Sequence, residues 1–224
     1  MTCVVGVRHE GVIYIGADSL SSDRVEAQVR LDPKVFTLGE FLIGFTSSWR
    51  MGQVLRYHFK PPAIPDDLDL HTYMVLHFVE ELRTTAKKAA IAEVQNSVES
   101  LGKFLVGIRG RLFCIESDFQ VGEAVQDYAA VGSGAAYALG AMFIQRHCTP
   151  GVRLPGAELE RALEAAAEHS PYVRRPWLVY RTPTQTATDA TKEDKQCPDH
   201  DCPATTEATL APSLALTATV RSRS

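Results

Sequence analysis

The sequence predicts an α+β protein in which two antiparallel sheets pack on each other between two helical layers, a four-layer α-β-β-α sandwich. Three observations predict it. Short apolar, β-branched runs open the chain and return after its middle. Two stretches with an apolar repeat near 3.6 separate the two sets of strands, and two more helical stretches follow the second set. Sheets and helices in this order are most economically buried when each sheet covers one face with the other sheet and one with helices. The size agrees: 224 residues, 45% apolar and 22% charged, fit one domain plus a tail. Residues 1–182 are expected to form the domain and 183–224 the tail.

Taken in order, Cys3 to about Arg8 reads as a first strand and Val12–Ala17 as a second. The loosely alternating segment 19–30 suggests an extended pair, and Glu40 to Phe45 a further strand. Ser48 and its neighbours can cap a first helix, with Met51, Val54, Leu55 and His58 on one face. Prolines at 61, 62 and 65 end it. A second helix is expected from Leu70 to about Ala92, with Met74, Val75, Phe78, Val79, Leu82 and Ala86 as its apolar positions. The polar cluster at 93–102 reads as a loop. Residues 104–108 and 111–115 flank Arg109-Gly110, a hairpin signal. Residues 126–131 read as a strand, 135–148 as a small-residue helix, 157–169 as an Ala/Glu-rich helix and 177–180 as a last strand.

The chemistry concentrates at the start. Thr2 is small enough for removal of Met1, which leaves a free threonine at the head of a strand. A hydroxyl is a weak nucleophile until a base takes its proton, and an adjacent α-amine can be that base. Its reference pKa of about 7.7–8.0 lies closer to neutrality than that of lysine. Asp18 closes the second strand sixteen residues after Thr2, and Lys34 follows after sixteen more. Val131-Gly132-Ser133-Gly134 precedes the small-residue helix.

On these residues the chain resembles the proteasome β-subunit family, and most closely the heat-shock-locus V-type peptidases. The pattern is an N-terminal Thr, a Gly-x-Asp ending the second strand, a Lys thirty-two residues after the Thr and a later Gly-Ser-Gly. The resemblance covers about residues 2 to 180. It implies the N-terminal nucleophile hydrolase fold and a threonine peptidase in which Thr2 is the nucleophile and Lys34, held by Asp18, favours its deprotonated form. Ser133 is implied near the Thr2 amine. The backbone N–H of Ser47, where the family carries glycine, is implied as the oxyanion donor, and Phe45 as a pocket-lining residue favouring a modest apolar side chain. The supporting Asp and Ser of the family have no clear counterpart at His169-Ser170. Also implied are a peptide or unfolded-protein substrate, a homo-oligomeric ring, an ATP-dependent unfoldase as a possible partner, and no cofactor. Another N-terminal nucleophile amidohydrolase acting on a small amide, or a non-catalytic assembly subunit retaining Met1, are the alternatives.

The remaining features set bounds. A net charge of −4 gives no footprint for nucleic acid. No apolar run reaches the roughly 18–20 residues that span a bilayer. No basic n-region and apolar h-region precede Thr2, and five cysteines form no disulfide-framework pattern, so a cytoplasmic location is expected. Cys3 is a second possible nucleophile by type, but it would need Thr2 removed. Cys197, His200 and Cys202 offer three metal ligands within six residues of the tail. Structural zinc usually takes four, so a solvated tail without metal is expected.

Overall fold

The computed structural model describes residues 2–183 except 23–24, 96–97 and 150. Met1 and the expected tail from residue 184 on, with its Cys197, His200 and Cys202, lie outside the described residues.

Strands β1 (Cys3–His9), β2 (Val12–Ala17), β3 (Leu20–Ser22), β4 (Ala27–Val29), β5 (Val35–Leu38) and β6 (Phe41–Phe45) come first. Helix α1 (Trp49–His58) follows. A longer helix is then built from α2 (Leu70–Tyr73), a π-helical turn (Met74–Phe78) and α3 (Val79–Lys88). Strands β7 (Glu93–Gln95), β8 (Val98–Ser100), β9 (Phe104–Ile108), β10 (Arg111–Ile115), β11 (Val121–Glu123) and β12 (Tyr128–Gly132) lead to α4 (Ala135–His147), α5 (Pro155–His169) and β13 (Leu178–Arg181). One antiparallel sheet has the order β12-β1-β2-β13 and the other β11-β10-β9-β6-β5. β3 pairs with β4, and β7 with β8.

Strand alternation sorts the side chains into three apolar layers. In β1, Cys3, Val5 and Val7 pack against α4 and α5, whereas Val4 faces the other sheet. In β6, Phe41, Ile43 and Phe45 lie under α1 and α3, while Leu42 joins Val4, Ile13 and Leu105 between the sheets. β9 and β10 repeat the pattern, with Phe104, Val106, Phe113 and Ile115 toward the helices and Leu105 and Leu112 inward. The molecule is therefore the expected α-β-β-α sandwich. Gly44 lets the sheets close up beside the N-terminus, since a Cβ there would come within 2.6 Å of the Val4 side chain.

Four local expectations are corrected. Residues 93–102 include a short hairpin rather than a loop, and Glu99 ties it to α3 through Arg83 (3.1 Å) and Lys87 (2.7 Å). Its polar composition offers no apolar alternation from which a pairing could be read. The second helix ends at Lys88, and its π-helical turn, in which the Val79 N–H bonds to the Met74 carbonyl, inserts one extra residue per turn. That shift turns Val75 outward while Met74, Phe78, Val79, Leu82 and Ala86 stay buried. His58 is exposed, and Phe59, just past the end of α1, takes the buried place. β11 was not expected at all.

The helical layer over β1 carries a buried ion pair. The Glu158 carboxylate accepts from Arg146 at 2.8 Å and lies 3.7 Å from Arg153, and the Arg146 side chain is only 10% exposed. Glu158→Ala leaves that guanidinium buried without its partner. The expected loss is on the order of 3 kcal/mol, read as a lower urea midpoint with unchanged slope. Replacing Glu158 and Arg146 together by methionine should recover most of it.

Candidate active site

Thr2 stands at the mouth of the sandwich, where the start of β1, the end of β2 and the start of β5 converge. It shares strand parity with Val4, whose side chain lies between the sheets. The residue is 2% exposed. Its hydroxyl donates to Asp18 Oδ1 and accepts from Lys34 Nζ at 2.5 Å. Lys34 also donates to Asp18 Oδ1 (2.9 Å) and to the Leu20 carbonyl (2.7 Å). Asp18 is fixed in turn by the backbone N–H groups of Cys3 (3.1 Å) and Leu20 (3.0 Å). A threonine hydroxyl, an ammonium and a carboxylate thus form one buried triangle.

Each member comes from a different element. Asp18 follows β2, which is held to β1 by the Val4–Ala17 register. Lys34 precedes β5 of the second sheet, and its carbonyl accepts from Phe45 N–H at 3.0 Å. Burial pushes the Lys34 pKa below the ordinary lysine value, and the Asp18 carboxylate opposes that push through its charge and its hydrogen bond.

The turn after β12 closes the site from the other side. Gly132 has φ +101°, and a Cβ there would sit 2.3 Å from the Thr2 carbonyl oxygen, so only glycine fits. That oxygen accepts from Ser133 Oγ (3.2 Å) and Gly134 N–H (3.3 Å). Ser133 therefore grips the Thr2 carbonyl. It does not cap α4, whose N-cap is Gly134 with no side-chain bond. Ser47 has φ +78°, a left-handed conformation that glycine adopts without strain and serine does not. It borders both spaces that touch Thr2. His169 is exposed and lies beside Tyr137, with ring centroids 5.2 Å apart and planes tilted by 36°. Ser170 is buried and its hydroxyl accepts from the Tyr172 N–H. Among the described residues neither is hydrogen-bonded to Thr2.

The spaces beside Thr2 are unequal. One, of about 20 Å³, is bounded by Leu20, Ser22, Lys34, Phe45, Thr46 and Trp49. The other, of about 410 Å³, runs past Leu101, Lys103, Ser117 and Ser133. A cleft of about 620 Å³ lies away from Thr2, beside Arg8, Arg109 and Arg111. Those guanidiniums are bound to Asp127, Glu40, Asp69 and Glu123. Thr46 and Trp49 were not read as site residues from the sequence. Trp49 carries no signal beyond following a capping serine.

Cys3 points the other way, into the layer under α4 and α5. Burial, and secondarily the Asp18 charge, push its thiol pKa to about 12. The reactive form is the thiolate, so iodoacetamide at pH 8 should leave Cys3 untouched while alkylating the exposed Cys148. Peptide mapping checks this. The raised value also means that this thiol favours the folded state fully below about pH 9, and that the contribution is lost as pH rises through about 12.

The sheet order, the helix layers and the placement of Thr2 define the proteasome-type N-terminal nucleophile hydrolase fold. The chain superposes on BPH from Thiobacillus denitrificans with a TM-score of 0.69 at 23% identity, over 81% of this chain and 97% of that one. For HslV from Trypanosoma brucei the TM-score is 0.57 at 15% identity, covering 80% and 98%. For Anbu, an ancestral beta-subunit from Yersinia bercovieri, it is 0.55 at 17%, covering 81% and 82%. No protein-family model and no curated protein sequence matches the chain.

Proposed function

We propose that this protein is a threonine peptidase that cleaves peptide bonds with Thr2 after removal of Met1. The observation that carries the reading is the buried triangle of Thr2 Oγ1, Lys34 Nζ and Asp18 Oδ1. In the reaction the α-amine of Thr2 takes the hydroxyl proton, and Oγ1 bonds to the substrate carbonyl carbon. The scissile C–N bond breaks as the proton passes to the leaving amine. Water then cleaves the ester and restores Thr2. Lys34 supplies positive charge at the developing alkoxide, and Asp18 keeps that charge in place. The Ser47 N–H is assigned the oxyanion role, supported by a left-handed backbone of φ +78°, the conformation that the glycine of the resembled family would adopt without strain. Ser133 and Gly134 fix the Thr2 carbonyl and hence the strand end that bears the nucleophile.

Assembly from copies of this chain is part of the proposal. What supports it is an apolar face on α4, where Tyr137, Leu139, Phe143 and Ile144 are 37–54% exposed. Light scattering should give a multiple of the chain mass. Among the described residues no helix is long and apolar enough to cross a membrane. A cytoplasmic location and an ATP-dependent unfoldase as partner complete the reading.

The test is direct. The Thiobacillus BPH is solved in complex with epoxomicin, so a peptide epoxyketone is the matching probe. Intact mass should show loss of one Met residue and a covalent adduct on the peptide that begins with Thr2. A chain that keeps Met1 and gains no adduct refutes the reading.

A further inference from the structure

The inference rests on the peptidase reading above and takes the side chain on the acyl side of the scissile bond into the 20 Å³ space beside Lys34 and Phe45, one of the two spaces that border Thr2 and Ser47. It is by far the smaller of the two spaces that border Thr2. The neighbouring space that touches Thr2 is about 410 Å³. The constriction is therefore confined to one side of the nucleophile.

Two aromatic rings make it. Trp49, the first residue of α1, stands edge-on to Phe45 with centroids 5.9 Å apart and planes at 83°. The Arg30 guanidinium lies 4.4 Å from the centre of the Trp49 ring. Arg30 is itself clamped by Asp32 through two hydrogen bonds of 2.8 and 2.7 Å, a bidentate pairing that fixes its plane. Phe45 cannot retreat either. Its ring lies so close to α1 that a Cβ on Gly52 would come within 2.0 Å of it. Both walls are thus held from behind. The Ser22 hydroxyl borders the same space and finds no hydrogen-bond partner among the described residues.

We infer that Trp49 is a specificity-determining wall that restricts this peptidase to substrates with a small side chain, alanine or serine, on the acyl side of the cut. The apolar lining favours alanine, and the unpartnered Ser22 hydroxyl accommodates a serine. Leucine and phenylalanine require the indole to leave its place under Arg30 and against the Phe45 ring.

The experiment uses the full-length, assembled protein and fluorogenic peptides that differ only in that residue: Ala, Ser, Leu or Phe. Epoxyketones ending in Ala or Leu serve as covalent probes in parallel. A one-methylene difference in an apolar pocket is worth about 10–200-fold in kcat/KM, so the native enzyme should favour Ala and Ser over Leu and Phe by at least about 10-fold. Trp49→Ala should raise the Leu/Ala ratio by a comparable factor. Trp49→Leu, which still covers Phe45, should raise it less and serves if the alanine variant does not fold. A change confined to overall stability would scale all four substrates equally. Native preference for Leu or Phe, or a ratio unmoved by both substitutions, overturns the filter and leaves the peptidase reading standing. No cleavage and no epoxyketone adduct with any of the four side chains overturns the peptidase reading, and the filter with it.

Discussion

A Thr2→Ala protein, correctly processed at Met1, should lose peptide hydrolysis and epoxyketone capture while keeping its melting temperature and assembly size. The expected loss in kcat is on the order of 10⁴-fold or more, the scale on which removal of a catalytic nucleophile is felt. The fold should survive because the hydroxyl is only one of the groups that Lys34 contacts. Without it, Lys34 Nζ still has Asp18 Oδ1 and the Leu20 carbonyl, and Asp18 still has two backbone N–H donors. The strand end is also held through the Thr2 carbonyl, by Ser133 and Gly134, which the substitution does not touch. Thr2→Ser keeps the nucleophilic oxygen and should keep measurable activity. A processed Thr2→Ala protein that still cleaves peptides would end the proposed mechanism.

Lys34 separates charge from shape. Lys34→Ala removes the ammonium from a pocket where the Asp18 side chain has no exposure to solvent. The carboxylate then keeps its backbone donors but loses its counter-charge. Activity and stability should both fall, the stability by about 3 kcal/mol on the scale of breaking a buried ion pair. Lys34→Arg restores the counter-charge, so the melting temperature should largely recover. Its planar guanidinium cannot place a compact charge 2.5 Å from Thr2 Oγ1 while also reaching the Leu20 carbonyl. Turnover should therefore stay down by on the order of 10²-fold or more. The pH profile gives an independent readout. Burial lowers the Lys34 pKa, so the ammonium is lost at a lower pH than an ordinary lysine would lose it. Native activity should decline on the alkaline side as pH rises through that lowered value. Lys34→Arg should show no such limb, because a guanidinium does not deprotonate in this range. A Lys34→Arg protein with near-native turnover would make Lys34 purely structural.

The layered fold was legible because it rests on local periodicity. The parity of Cys3, Val5 and Val7 against Val4 is written in the chain, and so are the helical repeats of residues 51–55 and 78–86. What defeated the reading was structure held by few or distant contacts. The 93–100 hairpin depends on Glu99 meeting Arg83 and Lys87 of α3. The π-helical turn at 74–78 is one inserted residue that a 3.6 repeat does not reveal. Polar segments without apolar alternation leave no periodic trace.

For the candidate site, the order Thr2, Asp18, Lys34 and Gly132-Ser133-Gly134 sufficed to nominate a nucleophile, its ion pair and the turn beside them. Spacing along a chain says nothing about direction, however. Only the tertiary structure decided that Thr2 faces the gap between the sheets while Cys3 faces the helices, because strand parity has meaning only once each sheet face has a partner. It also decided that Ser133 grips the Thr2 carbonyl, since that contact joins residues 131 positions apart. The narrow space beside the nucleophile belongs to the same class. Arg30, Phe45 and Trp49 come from a loop, a strand end and a helix start, and packing alone turns them into one wall.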